Sequence, residues 1–244
     1  MYILRVAVLA AALLGSTISR PGPLAAQSDT FEWSRRMGSG QILEVRGIVG
    51  EIRAIRASGD RAEVFARKRG DEDDFHQVAV EVAQDDQRVI VCALYGSWKH
   101  GRDRCHPDLD DRDDNERHRK VDMDVEVDFE VRIPAGVDFQ GALVSGGIEA
   151  NGLRSDVWAR TVNGRVEVAT SGLARASSVS GDIDVEMGGT GRGNMEFNTV
   201  SGDITLRLPA DFAADVSFSS LSGSFDSDFT MEIHREKKRW VGHQ

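Results

Sequence analysis

Apolar and polar residues alternate through the second half of the chain in one short recurring phrase. Each copy reads apolar residue, small polar residue, glycine, polar residue and then an alternating run that starts on a second apolar residue. The copies are found at 144–150, 162–168, 179–185 and 200–206, with a frayed fifth at 221–226. Alternation of this kind predicts a strand with one buried and one wetted face. The Ser-Gly or Asn-Gly pair before each run predicts a bend, because glycine adopts positive φ at little cost.

The period of the repeat determines the predicted fold class. The phrase glycines, at positions 146, 164, 181, 202 and 223, are 18, 17, 21 and 21 residues apart. That spacing is too long for a two-residue hairpin and shorter than the about 30 residues of a βαβ unit. It predicts an all-β fold, a repetitive β-solenoid resembling a parallel β-helix, with coils of 17–21 residues. A β-sandwich of antiparallel strands is the alternative, because half of the period matches its strand spacing of about 8–12 residues.

Equivalent side chains of successive copies are expected to stack, since one coil cannot bury its apolar face alone. One ladder is predicted to contain Ile148, Val166, Ile183 and Ile204. A second is predicted to contain Val144, Val162, Val179, Val200 and Leu221.

The repeat pattern begins well before residue 144, so one β-repeat domain is predicted over 29–230. The stretch 48–55 already repeats the phrase, and the longest alternating run of the chain lies at 121–133. Helical periodicity is not evident. Further strands are predicted at 31–33, 41–45, 61–67, 78–82 and 89–92.

The first 26 residues have the pattern of a secretory signal peptide, with a basic residue, a short apolar run and small residues near 24–27. The apolar run is shorter than the about 20 residues of a membrane span, although an uncleaved anchor is the alternative. The chain is therefore predicted to be exported, whether periplasmic, cell-surface or secreted, with no transmembrane segment after cleavage. Residues 231–244 are interpreted as a tail that could be a truncated last coil.

Cys92 and Cys105 are the two cysteines of the chain. In an exported protein such a local pair predicts a disulfide, which would close a loop of about 14 residues and contribute roughly 3 kcal/mol. A zinc site is the alternative, but the spacing is too wide for a Cys-x-x-Cys knuckle. Its remaining ligands would be His100, His106 and His118.

The segment 96–120 breaks the alternation and is predicted to be a long charged loop, which is either functional or without structure of its own. Its acids at 108–116 suggest calcium, but the glycine of a calcium loop is missing and Arg112 interrupts the run. A solvated charge run is the simpler interpretation. Trp98 in this loop is a candidate anchor for a sugar or a partner, or it packs on the end of the β core.

Asp182, Asp184 and Asp203 recur beside the phrase glycines. Equivalent residues of stacked coils lie about 5 Å apart, so Asp182 and Asp203 could act as a glycosidase pair. The preferred interpretation is structural, with acids that cap backbone amides and keep a sheet face soluble. No catalytic, cofactor or metal residues are therefore assigned.

Charge limits the classes of partner. The chain has a net charge of −10, which becomes −12 when Arg5 and Arg20 are removed with the signal. An acidic surface argues against nucleic acid and anionic membrane. A cell-envelope protein or a carbohydrate is the expected partner.

The repeat residues resemble those of the bacterial "putative adhesin" family of unknown function, the DUF4097-type β-strand-repeat proteins. The resemblance covers roughly 30 to 230 and implies an exported β-repeat protein, without implying an activity. The matching features are Ser-Gly-Asp-Ile at 180–183 and 201–204, its variants at 145–148 and 163–166, the strand-Pro-Ala-Gly sequence at 131–136 and the phrase at 49–54.

Three functional hypotheses follow. The leading one is a non-enzymatic, exported module, adhesin-like or structural, that binds an envelope component through its flat sheet face or through the loop 96–120. The alternative is a carbohydrate-active enzyme of β-helix type, a polysaccharide lyase or hydrolase. The third is an envelope protein that self-associates through an open C-terminal coil.

Overall fold

The computed structural model describes residues 29–96, 105, 124–189 and 193–230. The predicted signal peptide, most of the loop 96–120 and the tail 231–244 lie outside the described residues. The chain divides into two units, Met1–Ala210 and Asp211–Gln244.

Among the described residues, the first unit contains fifteen strands and one 3₁₀ helix. The strands are β1 (Thr30–Arg36), β2 (Ile42–Arg46), β3 (Ile52–Arg56), β4 (Arg61–Gly70), β5 (Val78–Gln84), β6 (Arg88–Tyr95), β7 (Val125–Ile133), β8 (Asp138–Ser145), β9 (Ile148–Leu153), β10 (Val157–Asn163), β11 (Val166–Thr170), β12 (Ala174–Ser180), β13 (Ile183–Met187), β14 (Glu196–Ser201) and β15 (Ile204–Arg207). The 3₁₀ helix, Glu72–Gln77, is capped by the Asp71 carboxylate, which accepts a hydrogen bond from the Asp73 amide. The all-β prediction is confirmed.

The strands form two mixed sheets. The eight-stranded sheet has the order β1-β4-β7-β3-β9-β11-β13-β15, and the seven-stranded sheet has the order β14-β12-β10-β8-β2-β6-β5. From β8 onward the chain alternates between the sheets, so each repeat contributes one strand to each. Strands from successive repeats pair in parallel, whereas the pairs β1–β4, β4–β7 and β5–β6 are antiparallel.

The first predicted ladder is present and forms part of the core between the sheets. Val166 pairs in register with Ile148 on one side and with Ile183 on the other, and Ile183 pairs with Ile204. Ile52 extends the ladder by one strand. These side chains are buried except for Ile204, which is 40% exposed on the last strand of the sheet.

The second predicted ladder is also in register, but it faces outward. In β8, β10, β12 and β14 the residues that point into the core are those adjacent to the phrase valine. The valines at 144, 162, 179 and 200 therefore lie on the outer face, between 40% and 81% exposed. The apolar residue before the glycine corner points outward, whereas the apolar residue after it points into the core. The alternation within a single strand does not show which of the two is buried.

The frayed fifth copy is not a strand. Residues 211–230 have no regular secondary structure, and Leu221 is fully exposed, so the prediction that it joins the second ladder is wrong. Within this unit the Phe218 and Phe225 rings are in contact, with centroids 5.2 Å apart.

Glycines with positive φ form a column through the corners of the repeats. Gly146, Gly164, Gly181 and Gly202 have φ between 130° and 156°. A Cβ at Gly164, Gly181 or Gly202 would collide with the carbonyl oxygen of the glycine one coil earlier. Only glycine permits this approach of backbone to backbone, which explains its place in each phrase.

Hydroxyl side chains three residues before the glycines satisfy the carbonyls of this column. Thr161 Oγ1 donates to the Gly146 carbonyl, Ser178 Oγ to that of Gly164 and Thr199 Oγ1 to that of Gly181, each at 3.1 Å. Thr161 and Ser178 are 5% exposed. The repeat therefore includes a hydroxyl residue at this inward position, where an apolar residue would otherwise be expected. The hydroxyl is tolerated there because it is hydrogen-bonded.

Cys92 and Cys105 are joined by the predicted disulfide, with Cα atoms 5.7 Å apart. Cys105 packs with Ile90 and Cys92 in a small buried cluster separate from the main core. Because both cysteines are in a disulfide, neither offers the thiolate that the zinc alternative requires.

The glycine column leads to a stability prediction for Gly181→Ala. Its new Cβ would meet the Gly164 carbonyl oxygen, so we expect a loss of roughly 3–5 kcal/mol in the free energy of unfolding, measured in urea. Gly152→Ala is the matched control, because Gly152 has φ 65° but nothing within 4 Å of the added Cβ. The control should lose about 1–2 kcal/mol, and equal losses would contradict the crowding argument.

The hydroxyl ladder leads to a second prediction. Ser178→Ala removes the buried hydroxyl that donates to the Gly164 carbonyl and should cost about 1–3 kcal/mol. Ser177→Ala changes the neighbouring residue on the outer face of the same strand and should stay within about 0.5 kcal/mol. Thermal unfolding of both variants in parallel measures the difference, and the prediction fails if Ser177→Ala is the more damaging.

Candidate functional site

The acids beside the phrase glycines make contacts between neighbouring repeats. Asp182 Oδ1 accepts a hydrogen bond from the Asp203 amide at 2.9 Å, one coil further on. Asp184 Oδ2 lies 2.6 Å from Arg165 Nη2 and its Oδ1 lies 3.9 Å from Arg207 Nη1. Asp182 thus has the capping role preferred from the sequence, and Asp184 is engaged in ion pairs.

The outer face of the eight-stranded sheet is covered by paired charges. Arg53 Nε lies 3.1 Å from Glu149 Oε2, and Arg132 Nη1 lies 2.9 Å from Glu63 Oε2. Exposed pairs of this kind contribute little to stability. The two charges of each pair neutralise one another, so this face is polar where the pairs lie.

The outer face of the seven-stranded sheet differs because it exposes apolar side chains in rows across its strands. One row is here called the valine stripe. It crosses β14, β12, β10 and β8 and continues to Ile48 in the segment before β3, whose carbonyl accepts a hydrogen bond from the Val144 amide at 3.2 Å. The stripe consists of Ile48, Val144, Val162, Val179 and Val200. Contiguous apolar surface of this kind is typical of interaction sites.

A second row crosses the same face at Trp158. Trp158 on β10 pairs with Gln140 on β8 and with Arg175 on β12. Its indole is 44% exposed, and the Arg160 guanidinium carbon lies 5.8 Å from the ring centroid. The row therefore presents an aromatic ring between an amide and a guanidinium.

The Trp158 row borders a shallow concavity of about 130 Å³, here called the Trp158 depression. It extends over the starts of β8, β10 and β12. Its lining residues are Asp138, Phe139, Gln140, Asp156, Val157, Trp158, Leu173 and Arg175.

Two carboxylates of the depression are held by backbone amides. Asp138 Oδ1 accepts from the Asp156 amide at 3.2 Å, and Asp156 Oδ1 accepts from the Leu173 amide at 2.9 Å. Partial burial raises the pKa of the Asp138 carboxyl above its ordinary value; the amide hydrogen bond opposes this shift and the Asp156 charge adds to it. The second oxygen of each carboxylate is not used by these two hydrogen bonds.

The same outer face is buried toward β2 and β6. Glu44 on β2 is 3% exposed and pairs with Arg46 and with Arg88, whose Nη1 lies 3.0 Å from Glu44 Oε2. Ile90 and Cys92 on β6 are buried as well. The exposed apolar rows of the face therefore lie on β8, β10, β12 and β14 and on the adjoining Ile48.

Most loop candidates from the sequence lie outside the described residues. This applies to Trp98, His100, His106, His118 and the acids at 108–116; from the loop itself, only Gly96 and Cys105 are described. Within the described ranges, no group of three or more His, Cys, Asp or Glu residues is arranged to hold a metal ion. No helix there is long and apolar enough to cross a membrane.

Sequence reasoning missed the Trp158 depression. The signal was present in the strand 157–163, where Val157, Ala159 and Thr161 point inward. Trp158 therefore occupies a position where alternation calls for a polar residue. An exposed aromatic ring suggests a binding site only when it is known which residues of the strand point into the core.

Comparison with known proteins gives a family match. The family model described as Toastrack DUF4097 matches residues 136–243. This confirms the predicted family, over a shorter range than the resemblance from roughly 30 to 230. The matched part includes the coils in which consecutive strands alternate between the sheets. No curated protein matches the chain in sequence.

Solved structures from three bacteria are similar to 74% of the chain. A "putative cell adhesion protein" from Clostridium sporogenes aligns over 100% of its own chain, with 8% identity and a TM-score of 0.37. A "putative adhesin" from Bacteroides fragilis aligns over 97% of its own chain, with 13% identity and a TM-score of 0.20. A "putative adhesin" from Parabacteroides merdae aligns over 96%, with 7% identity and a TM-score of 0.18.

The inward and outward sides of β12 and β13 lead to a matched prediction. Val179→Thr places a hydroxyl on the exposed stripe and should change the free energy of unfolding by less than about 0.5 kcal/mol. Val185→Thr places the same hydroxyl in the core, where Val185 is fully buried, and should cost about 1–3 kcal/mol. Urea unfolding of both variants gives the comparison, and a large loss for Val179→Thr would show that the stripe is covered.

Proposed function

Residues 136–243 match the Toastrack DUF4097 family. On this premise we propose that the chain is an exported, non-enzymatic, adhesin-like module that binds a cell-envelope component through the outer face of its seven-stranded sheet. One observation supports the choice of surface above others. This face exposes the valine stripe and Trp158 side by side, whereas the other sheet carries mutually paired charges.

Export is supported by the disulfide between Cys92 and Cys105. Disulfides form and persist in oxidising compartments and are rare in the cytosol. The signal pattern at 1–26 points the same way. The compartment proposed is the periplasm, the cell surface or the medium.

The β-solenoid architecture is part of the same proposal. Its support is the parallel, in-register pairing of successive repeats in both sheets, with two strands per coil. In the alternative antiparallel sandwich, neighbouring strands would run in opposite directions. Among the described strands, antiparallel pairing is found between β1 and β4, between β4 and β7, and between β5 and β6.

The enzyme alternative has no comparable support among the described residues. It depended on the carboxylates of Asp182 and Asp203 acting across a substrate. Asp182 instead accepts the backbone amide of Asp203. This contact is the capping role expected from the sequence, and it accounts for the recurrence of an acid at this position without a catalytic function.

The proposal is tested by binding of the purified chain to isolated bacterial cell envelopes. The triple variant Val144→Thr, Val162→Thr and Val179→Thr removes apolar surface from the stripe and should weaken envelope binding at least about tenfold, which corresponds to about 1.4 kcal/mol. Ile55→Thr is the matched control, because Ile55 is an exposed apolar residue of the eight-stranded sheet at 43%. Unfolding curves should confirm that both proteins are folded. Equal binding by the triple variant and the wild type would refute the assignment of this face.

A further inference from the structure

We infer that the Trp158 depression is a binding site for one neutral pyranose ring of an envelope saccharide. This inference rests on the proposed function, because it names the class of ligand bound on the same sheet face. It assigns Trp158 as the stacking platform. Gln140, Arg175 and Asp138 are assigned as the groups that hydrogen-bond the sugar hydroxyls.

Trp158 has the exposure and the setting of a stacking platform. Its indole lies on the outer side of a strand whose inward residues are buried, so the ring is not required by the core. The Arg160 guanidinium carbon, 5.8 Å from its centroid, restrains the ring. A pyranose carries a face of C–H groups, and the negatively charged face of an indole attracts such groups.

The flanking groups suit hydroxyls that both donate and accept. Gln140 and Arg175 lie one strand to either side of Trp158, about 4.8 Å away along the row. The amide of Gln140 can donate and accept, whereas a guanidinium only donates. Arg175 Nε donates to the Asn194 carbonyl at 3.3 Å, which orients the guanidinium and leaves its terminal nitrogens for a ligand.

Asp138 supplies a fixed acceptor at the edge of the depression. One of its oxygens is held by the Asp156 amide at 3.2 Å, so the carboxylate plane is constrained before a ligand arrives. The other oxygen can accept from a hydroxyl. Preorganised polar groups of this kind reduce the entropy lost when a ligand binds.

Charge favours a neutral saccharide over an anionic one. The acids Asp138 and Asp156 balance Arg175 and the neighbouring Arg160, so the depression has no excess of positive charge, and the whole chain has a net charge of −10. A polyanion would therefore be repelled on approach.

The position of the row also disfavours an extended peptide. Strands β8, β10 and β12 are each paired on both sides. No backbone edge is open at this row, and strand addition requires one. A ring stacked on the sheet face needs none.

The size of the concavity sets the expected affinity. A shallow concavity of about 130 Å³ can contact one face of a single ring and leaves the rest of the ring open to water. A ligand with so few contacts is expected to bind with a Kd of about 1 mM. Attachment to an envelope would then come from many weak contacts made together.

The test uses the full mature chain and a panel of neutral oligosaccharides of glucose, galactose, mannose and N-acetylglucosamine, with a polyuronate as the anionic comparison. Binding is followed by NMR of the indole N–H signals, with the Trp158 signal assigned from Trp158→Phe. We expect one neutral class to shift the Trp158 signal with a Kd of about 1 mM. Trp158→Ala should abolish binding, Trp158→Phe should restore part of it, and Arg175→Lys should weaken it about tenfold.

The control and the contrary outcomes separate this inference from the proposed function. Ile55→Thr should bind saccharide like the wild type. The inference is overturned if no neutral saccharide binds at 20 mM, roughly twenty times the expected Kd, if Trp158→Ala binds normally, or if the polyuronate binds more tightly. Envelope binding that depends on the valine stripe but not on Trp158 would overturn the saccharide site and leave the proposed function standing. Saccharide binding at Trp158 without any envelope binding would do the reverse.

Discussion

The approach of backbone to backbone at the glycine corners is the constraint on which the rest of the structure depends. Each corner glycine lies against the carbonyl of the glycine one coil earlier, where a Cβ would overlap with the oxygen. Positive φ and the absence of a side chain are both required there. Because the corner glycines of successive repeats lie directly against one another, the strands that follow them are in register. Ile148, Val166 and Ile183 therefore stack in one buried ladder.

The corner also determines which surfaces are free for binding. At the corner the chain passes from one sheet to the other, so the valine before the corner points to solvent and the apolar residue after it points into the core. Inward hydroxyls such as Ser178 satisfy the glycine carbonyls, and acids such as Asp182 cap the amides of the next coil. Polar groups that resemble a catalytic set are thereby used in folding.

Several features of the site were accessible from sequence only in part. The flat sheet face follows from the repeat, and the family follows from the Ser-Gly-Asp-Ile phrases. Trp158 was not predicted to be a binding residue, because the sequence around it does not show which residues of the strand point inward and which point outward. Its partners Gln140 and Arg175 lie 18 and 17 residues away in the chain. They become its neighbours only through parallel pairing of β8, β10 and β12.

The sequence by itself determined the all-β class, the length of the repeat and the buried ladder, because these depend on local alternation and on the recurrence of glycine. It also indicated the disulfide, since two cysteines leave only one intramolecular pair. The tertiary structure decided that the second ladder faces solvent and that the fifth copy, with Leu221, forms no strand. It also decided that the antiparallel strands β1 and β4 extend one sheet. These outcomes depend on which sheet covers which face, and that relation joins residues far apart in sequence.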